Sequence, residues 1–238
     1  MSVHRHLGRD DGRLRTTRWR GDPSTAQLLA PRGRPSERAL SAALEQLRAE
    51  GYTAAVTAAL SPAEQAPFRA AGFVEHEQLH LLRRSVERPP RPSAPVPLRR
   101  ARRDDLPAVL DVDGQAFQPF WRFDEGGLAD AMAATPSARM RIAVEPGDRV
   151  VGYAITGRAG SRGYLQRLAV TPGVQRRGIG TALVADALRW LRRWGAREVL
   201  VNTQEHNTAA LALYGALGFR QEPEGLTVLR RALAVDHR

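Results

Sequence analysis

The amino-acid sequence predicts an α+β fold, in which a mixed, mostly antiparallel central sheet is flanked by helices. Two strand-like runs, residues 139–145 and 148–159, flank the turn sequence PGD and are typical of an antiparallel hairpin. The amphipathic stretch 178–194 lies between two further strand-like runs, which indicates a strand, helix, strand crossover. Five prolines within residues 87–97 cannot support a helix or a central strand, so they predict a linker that divides the chain.

The segment after this linker begins with a strand and two helices. Residues 96–102 predict the first strand. Asp104, with Pro107 just inside, is typical of a helix start and predicts a helix over residues 105–117. A second helix is predicted over residues 124–132.

Helical spacing and glycines define the rest of this segment. Apolar residues recur every third or fourth position after Gly178, and Gly195 and Gly218 are typical of the residue that follows a helix. The remaining predicted elements are, in order, a strand at 163–170, a helix at 178–194, a strand at 197–203, a helix at 207–217 and a strand at 226–233.

Composition limits the classes of function. All 36 basic residues are arginines, and the net charge is +11. Because the arginines are scattered and not interleaved with aromatic residues, the sequence favours a small anionic ligand over a nucleic-acid partner. The absence of cysteine excludes disulfides, thiolate metal sites and cysteine nucleophiles. No apolar run suits a membrane span or a secretion signal, so we expect a cytoplasmic protein without a membrane partner.

A glycine-rich loop connects a strand to a helix within residues 170–184. A helix start presents unpaired backbone N–H groups and the positive end of the helix dipole, which together attract an anion. Gly178 and Gly180 leave room for a phosphate, and Arg176 and Arg177 add charge. A Walker loop needs a lysine, and the dinucleotide fingerprint lacks its third glycine here. A glycine that only lets the loop turn remains the alternative.

Two motifs in this segment carry a family resemblance. The run QRRGIG, from Gln175 to Gly180, matches the Q/R-x-x-G-x-G/A loop of the Gcn5-related N-acetyltransferase (GNAT) superfamily. The run NTAALALYGALGF, residues 207–219, is similar to the N-x-x-A-x-x-L-Y-x-x-x-G-F element of the same family, especially its amino-terminal and ribosomal-protein branch. The chain thus resembles GNAT enzymes over about residues 96–233.

The resemblance implies a fold, a co-substrate and a reaction. It implies a GNAT-like sheet with splayed central strands, acetyl-CoA as co-substrate, no metal, and direct acetyl transfer to a primary amine of a small molecule or of a peptide or protein N-terminus. The acceptor itself is unknown, and a homodimer stays open. The residues implied to bind acetyl-CoA are Leu168, Ala169, Val170, Gln175, Arg176, Arg177, Gly178, Ile179, Gly180, Thr181, Asn207 and Tyr214.

The resemblance also implies individual roles. The backbones of Leu168 and Val170 would pair with pantetheine like an added strand. The N–H groups of residues 176–181 would hold the pyrophosphate, and Asn207 would contact the cofactor from the next helix. Tyr214 would be the catalytic general acid that protonates the leaving thiolate. The alternative for Tyr214 is an aromatic side chain that packs a helix on the sheet.

The sequence departs from the family pattern at the general base. Two positions that often supply a glutamate are Tyr164 and Asn202 here. We therefore expect proton removal through ordered water, aided by Gln166, Tyr164 or Asn202. The missing acids also favour an alternative function, a non-enzymatic acetyl-CoA-binding regulatory module.

The loop at residues 116–127 is expected to wall the acceptor. It holds four aromatic residues together with Asp124 and Glu125. An apolar pocket with acids would attract an ammonium group, whereas aromatics packed under a long loop are the alternative.

The first segment resembles part of the second. Residues 37–84 track residues 180–231, which indicates a repeated helix, strand, helix, strand unit. In the first copy Arg34 and Pro35 replace Gly178 and Ile179 of the second copy, and Phe68 replaces the tyrosine.

The preceding stretch of about 30 residues looks too short for the earlier hairpin and both early helices. We therefore predict three parts. Residues 1–86 form a degenerate, non-catalytic half-GNAT segment, residues 87–97 a linker, and residues 98–238 the N-acetyltransferase domain.

Overall fold

The computed structural model describes residues 5–7, 14–20, 22–30, 34–91 and 96–233, with backbone alone at 5–7. Residues 31–33 of the first-copy loop and 92–95 of the predicted linker lie outside the described residues. The chain forms two compact units. Unit 1 comprises residues 1–81, 204–206 and 223–238, and unit 2 comprises residues 82–203 and 207–222.

The regular elements of the described residues are strands and α-helices. In chain order they are β1 (Arg5–Leu7), β2 (Leu14–Arg18), β3 (Thr25–Leu29), α1 (Glu37–Ala49), β4 (Ala54–Thr57), α2 (Pro62–Ala70), β5 (Val74–Ser85), β6 (Leu98–Arg100), α3 (Leu106–Ala116), α4 (Glu125–Ala133), β7 (Ser137–Glu145), β8 (Arg149–Ala159), β9 (Arg162–Val170), α5 (Ile179–Arg193), β10 (Glu198–Gln204), α6 (Thr208–Ala216), β11 (Arg220–Gln221) and β12 (Leu226–Ala232).

Unit 1 is a sheet with the strand order β1-β2-β3-β4-β12-β5. The β3 and β4 strands are parallel, and the other neighbours are antiparallel. Its core joins the apolar faces of α1 and α2 to the strands, with Leu40, Leu44 and Phe68 among the buried residues. Ser36 starts α1, because its Oγ accepts a hydrogen bond from the N–H of Ala39 at 3.2 Å.

The stretch before α1 contains a hairpin, although the sequence indicated that this stretch is too short for one. The β2 and β3 strands are antiparallel, and five residues suffice for each. The turn between them is held by Asp22, whose carboxylate accepts from the N–H of Ser24 at 2.9 Å and from the hydroxyl of Thr25 at 2.7 Å. The expectation of a missing hairpin was therefore wrong. No helix precedes α1 within the described residues.

Unit 2 confirms the predicted α+β class. Its strands lie in the order β10-β9-β8-β7-β6, and all neighbours are antiparallel except β9 and β10, which are parallel. One apolar core lies between α5 and the sheet, and a second packs α3 and α4 against β7 and β8. The predicted helix at 178–194 is α5, whose buried residues include Leu183 and Leu188.

The α5 helix is also tied to β7 by a partly buried ion pair. Arg139 donates hydrogen bonds to the backbone carbonyl of Asp186, at 2.7 Å, and to its carboxylate. The same guanidinium lies 5.0 Å from the ring centroid of Trp190. Burial lowers the pKa of Arg139 to about 10. These contacts fix α5, whose first turn follows the glycine-rich loop within residues 170–184; this loop is called the anion loop below, after its predicted ligand.

The helices α2 and α6 end in the same way. Gly72 and Gly218 adopt φ values of +77° and +78°. In each case the phenylalanine after the glycine donates its N–H to a carbonyl five residues earlier, that of Phe68 or Tyr214, at 3.0 Å. The shared sequence pattern therefore encodes a helix end, and the residue that differs in chemistry is the tyrosine.

The compact units do not follow the predicted boundaries. The β12 strand, which the sequence placed with the second segment, belongs to unit 1 because it pairs with β4 and with the first part of β5. Residues 82–85 of β5 belong to unit 2, where Arg83 and Leu82 pair with β11. The assignment of a linker and of a catalytic and a non-catalytic segment stays a prediction.

Candidate active site

The parallel strands β9 and β10 pair over a short stretch. The register joins Arg162 to Glu198, Val199 to Gly163 and Leu200 to Tyr164. Past these pairs β9 continues to Val170, and no further pair with β10 occurs in the described residues. Leu168, Ala169 and Val170 lie in this unpaired part, where an extended ligand can add to the strand through backbone hydrogen bonds.

A β-bulge lies in β9 beside this opening. Ile155 of β8 is opposite Arg167, but the next residue of β8 is opposite Leu165, so Gln166 is the extra residue. The Oε1 atom of Gln166 is buried and has no hydrogen-bond partner in the described structure. A Cβ on Gly157 would lie 2.9 Å from the Gln166 amide and 2.3 Å from Thr135 Oγ1, so the glycine makes room for the amide.

The glycine-rich loop leaves β9 through a 3₁₀ turn, Pro172–Val174. Gln175 closes it by donating its side-chain N–H to the backbone carbonyl of Val170 at 3.1 Å. Arg176 and Gly178 have positive φ values, +62° and +79°. Nothing lies within 4 Å of a Cβ built on Gly178, so its backbone conformation is the reason for the glycine.

The start of α5 leaves several N–H groups without a helical partner. The N–H of Ala182 makes the bond to the carbonyl of Gly178, at 2.9 Å. The N–H groups of Ile179, Gly180 and Thr181 precede it and therefore have no carbonyl one turn back. They form, with the helix dipole, the donor set that a pyrophosphate needs.

The charges at this loop are only partly neutralised. Arg177 lies 3.5 Å from the carboxylate of Glu145, and its side chain is 65% exposed. Arg149, at the start of β8, also forms an ion pair with Glu145. One carboxylate thus faces two guanidinium groups, and this corner keeps a positive charge for an anion.

The α6 helix begins and packs beside this loop. Asn207 caps it, because its Oδ1 accepts from the N–H of Ala210 at 3.1 Å. A Cβ on Gly180 would lie 3.1 Å from Leu213 of α6, so this glycine permits the close approach of the two helices. Asn207 therefore has a structural role, and its amide N–H groups are left to meet a ligand.

Tyr214 is buried in the core of unit 2. Its side chain is 4% exposed, and its ring lies 5.3 Å from that of Phe219. Burial raises the pKa of the Tyr214 phenol above its ordinary value of 10.0, so the group stays protonated at neutral pH. The ring therefore packs in the core, as the alternative role of Tyr214 predicts. The phenol also carries the proton that a general acid would donate.

A buried polar network lies under the predicted acceptor loop, and sequence reasoning missed it. Asp113 is fully buried and accepts two hydrogen bonds from Arg167, each 2.8 Å, and one from the hydroxyl of Tyr153. The guanidinium of Arg167 also donates to the carbonyl of Trp121 at 2.7 Å. Burial raises the pKa of Tyr153. The network joins α3, β8 and β9 to the loop.

The aromatic residues of that loop divide between two settings. The guanidinium of Arg167 lies 3.4 Å from the ring centroid of Phe117 and 4.0 Å from that of Phe123. These two rings therefore enclose a buried cation. Phe120 and Trp121 pack edge to face, with ring centroids 5.0 Å apart. Phe117, Phe120 and Trp121 are half-buried, whereas Phe123 is buried.

The two acidic residues of the loop also differ. The carboxylate of Asp124 accepts from the N–H of Gly127 at 2.7 Å and caps α4. Glu125 is exposed in the first turn of the same helix. Glu125 is thus the better placed of the two to meet a cationic group.

A family comparison decides the superfamily. The model of the Acetyltransferase (GNAT) family matches residues 101–219, half of the chain. The chain belongs to the GNAT family. This match confirms the predicted family and, with it, the prediction of an acetyl-transferring acyltransferase.

The GNAT chain is similar to several curated mycothiol acetyltransferases. It is 29% identical to the mycothiol acetyltransferase of Segniliparus rotundus over 71% of this chain and 70% of that protein. It is 30% identical to the mycothiol acetyltransferase of Rhodococcus jostii over 67% of this chain and 58% of that protein. The match therefore leaves about a third or more of these relatives uncovered.

A solved GNAT structure matches both units. A tandem GNAT protein from the clavulanic acid biosynthesis pathway aligns with a TM-score of 0.69 and 17% identity, over 97% of this chain and 81% of that chain. At this identity the match concerns the fold alone. It confirms the prediction of a second GNAT-like region on the N-terminal side.

The two positions that often hold a glutamate in the GNAT family differ in burial in this chain. Tyr164 is half-buried in the last residue pair between β9 and β10, whereas Asn202 is exposed. Glu205 follows Asn202 by three residues in the sequence. It belongs to unit 1, where its carboxylate lies 3.7 Å from Nδ1 of His80.

Two further properties concern the described residues as a whole. In that part of the chain, no group of three or more His, Cys, Asp or Glu residues is arranged to hold a metal ion. No helix of the described ranges combines the length and apolar character of a membrane span.

Proposed function

We propose that this protein transfers the acetyl group of acetyl-CoA directly to a primary amine. The observation that carries the proposal is the combination, in unit 2, of a stretch of β9 that is unpaired on its β10 side with the donor set at the start of α5. An extended amide-bearing chain fits the strand edge, and a pyrophosphate fits the helix start. No covalent enzyme intermediate is needed, and the amine attacks in a ternary complex.

Each predicted binding residue has a place in this proposal. The backbones of Leu168, Ala169 and Val170 bind pantetheine. Gln175 holds the loop in shape through its bond to the strand end. The pyrophosphate-binding residues of the proposal are Arg176, Arg177, Gly178, Ile179, Gly180 and Thr181. Asn207 and Tyr214 contact the cofactor from α6.

We assign proton donation to Tyr214. As the amine nitrogen bonds to the acetyl carbon and the carbon–sulfur bond breaks, the phenol gives its proton to the sulfur. A raised pKa makes a phenol a weaker acid, but the same apolar surroundings also raise the pKa of a thiol. The pKa values of the phenol and the thiol are therefore raised together, and efficient proton transfer requires that the two stay close.

Removal of the amine proton is assigned to ordered water. Gln166 is the best placed of the three candidate residues, because its buried Oε1 has no partner in the described structure and can accept a hydrogen bond. Tyr164 and Asn202 complete the set. None of the three is acidic, so this step depends on an amine whose pKa the site lowers.

The decisive experiment measures CoA release with a thiol reagent. Because the chain has no cysteine, the protein adds no background signal. Against a panel of amines, Tyr214→Phe should lower kcat by about 100-fold and leave the KM for acetyl-CoA nearly unchanged. Tyr52→Phe, which removes a hydroxyl from unit 1, is the matched control. Equal kcat values for wild type and Tyr214→Phe would refute the proposed acid.

The second candidate is a non-enzymatic acetyl-CoA-binding regulatory module. The observation that favours it is the absence of a glutamate at Tyr164 and Asn202. Binding of acetyl-CoA by calorimetry without CoA release for any amine would support this candidate. Release with one amine would exclude it.

The acceptor is proposed only as a class. The panel should include small-molecule amines, amino acids, peptides with free N-termini and the acceptor of the mycothiol acetyltransferases, because relatives carry that name. Phe120, Trp121 and Glu125 are the residues proposed to select among them. Substitution at these positions should change the KM of the accepted amine and not that of acetyl-CoA.

We further propose that unit 1 binds no acetyl-CoA. In its sequence, Arg34, Pro35 and Phe68 stand where the second copy has Gly178, Ile179 and Tyr214, so one N–H donor and the phenol are missing. Calorimetry on the full chain should give one acetyl-CoA per chain. Two equivalents would refute the proposal that unit 1 binds no acetyl-CoA.

Location and assembly complete the proposal. We propose a cytoplasmic enzyme without membrane or nucleic-acid partners. Cell fractionation tests the first part, and salt-dependent binding to generic DNA tests the second. Light scattering on the purified chain distinguishes a monomer from a homodimer.

A further inference from the structure

A cavity opens in unit 2 at the start of β10. Its volume is about 620 Å³, within the range of small-molecule sites. Its walls come from the end of β5 with the residues that follow, from the start of β10, and from the end of α6 with β11. Five of its lining residues are arginines: Arg83, Arg84, Arg88, Arg197 and Arg220.

The cavity keeps an excess of positive charge. Its three glutamates oppose five arginines. Two of the glutamates are already engaged, since Arg83 lies 2.7 Å from Glu222 and 3.4 Å from Glu198. Glu198 also accepts from Arg162 at 2.9 Å, and this hydrogen bond, the largest cause, lowers its pKa. The five arginines and three glutamates leave the lining with a net charge of +2, and Arg84, Arg88, Arg197 and Arg220 lie outside these ion pairs.

Arg84 is the most informative of these residues. Its Nη2 donates to the carbonyl of Arg88 at 2.7 Å, whereas its Nη1 is buried and has no partner in the described structure. Burial also lowers the pKa of Arg84. A buried guanidinium nitrogen without an acceptor is unfavourable, so a ligand that supplies an acceptor gains binding free energy there.

The cavity wall is held in place by backbone contacts. The N–H of Val86 donates to the carbonyl of Arg197 at 3.1 Å. Next to it, Ser85 Oγ accepts from the N–H of Glu87 at 3.2 Å. The segment that carries Arg84 and Arg88 is thus fixed beside β10, and little ordering is needed on binding.

This cavity is remote from the loop at the start of α5, which is proposed to hold the pyrophosphate. Arg197 lies just beyond the end of α5, whereas the anion loop is at the start of the same helix. A helix of 15 residues is about 22 Å long. The two regions therefore lie at opposite ends of α5.

We propose that this cavity is a second binding site for a small anion with several acidic oxygens, such as a carboxylate or phosphate compound. The guanidinium groups of Arg84 and Arg197 bind its oxygens, which suits the planar fork of arginine. The proposal goes beyond acetyl transfer and does not depend on it.

Calorimetry on the full chain tests the site with inorganic phosphate and with citrate as separate probes. The protein is first saturated with acetyl-CoA, so that the anion loop of α5 is occupied. One bound anion per chain is expected for at least one probe. The probe that binds more tightly identifies the ligand as a phosphate or a carboxylate compound.

Variants locate the bound anion. Arg84→Gln and Arg197→Gln should each weaken binding by at least about tenfold, because each removes charged hydrogen bonds. Arg103→Gln, an exposed residue of the same unit, removes the same charge and should leave binding unchanged. Arg197 is also exposed, so its variant keeps the test valid if Arg84→Gln fails to fold.

Three results would overturn the proposal. The first is that neither probe binds at concentrations up to about 10 mM, because a Kd above this value corresponds to negligible affinity. The second is unchanged binding in both Arg84→Gln and Arg197→Gln, which would leave Arg84 a purely structural cation. The third is tighter, steeply salt-dependent binding of a DNA duplex that the same two variants abolish, which would make the cavity part of a nucleic-acid surface.

Discussion

Replacing Asp113 by asparagine should destabilise unit 2 by about 3–5 kcal/mol, the cost typical of breaking a buried ion pair. Asp113 is 0% and Arg167 is 9% exposed, so water cannot replace the lost carboxylate. The carboxylate accepts from Arg167 twice, from Tyr153 and from the N–H of Phe123. An asparagine of the same shape has one acceptor oxygen, turns two donors toward these groups, and leaves a buried guanidinium without a counter-charge.

Urea unfolding followed by tryptophan fluorescence measures this cost. Three of the four tryptophans, Trp121, Trp190 and Trp194, lie in unit 2, so the signal reports mainly on that unit. Asp111→Asn is the control, since it makes the same chemical change on the exposed side of α3, where Asp111 contacts Gln115. That variant should shift the free energy of unfolding by less than about 0.5 kcal/mol.

A double-mutant cycle tests the reasoning further. Combining Asp113→Asn with Arg167→Met should cost less than the sum of the single changes, by about 1–3 kcal/mol, because the unpaired cation is removed as well. If the acceptor loop binds the amine as proposed, both single variants should also raise its KM. A loss below about 1 kcal/mol for Asp113→Asn, or strict additivity in the cycle, would refute the assigned role.

Three further perturbations give distinct results. Gly178→Ala should lower the free energy of unfolding by about 1 kcal/mol, because the φ of Gly178 is +79° and nothing lies within 4 Å of its Cβ. Calorimetry should also show weaker acetyl-CoA binding, and an unchanged Kd would argue against this loop as the cofactor site. Hydrogen bonds from Arg99 lower the pKa of Asp105 from 3.8 to about 2, so its stabilisation is complete above about pH 4 and lost as pH falls toward 2. Melting temperatures of wild type and Asp105→Asn should therefore converge on acidification, and parallel curves would contradict this. Gly163→Ala should cost about 1–3 kcal/mol in urea unfolding, since its Cβ would lie 2.6 Å from buried Leu191. The control is Gly173→Ala, at an exposed glycine with nothing within 4 Å of its Cβ, and an equal cost for the two variants would show that the core adapts.

The elements predicted well are those whose signals are local. The hairpin of β7 and β8 follows from strand patterns on both sides of a turn, and α5 from helical spacing ended by Gly195. The loop and helix start around Gly178 also have a local signal, because a run of six residues carries both the glycines and the charges, and the role of this loop in anion binding stays a prediction. In each case neighbouring residues fix the structure without information from distant parts of the chain.

The features that the sequence did not reveal depend on distant partners. Asp113 lies in the apolar run of α3, and Arg167 lies in β9, 54 residues later. Nothing in either local sequence indicates that the two residues form a buried ion pair. The bulge at Gln166 depends on the register of β8 and cannot be read from β9 alone. The first hairpin was missed because its strands are short and partly polar.

The membership of β12 in unit 1 has a consequence for the order in which the protein forms on the ribosome. Domains usually fold from the N-terminal side as synthesis proceeds. All of unit 2 lies before residue 223, whereas unit 1 needs β12, residues 226–232, between β4 and β5. The unit that begins the chain is therefore the last to be completed, and until then β4 and β5 each expose an unpaired edge. A released chain that ends at residue 225 should be cleaved by proteases in its first 80 residues and protected in unit 2.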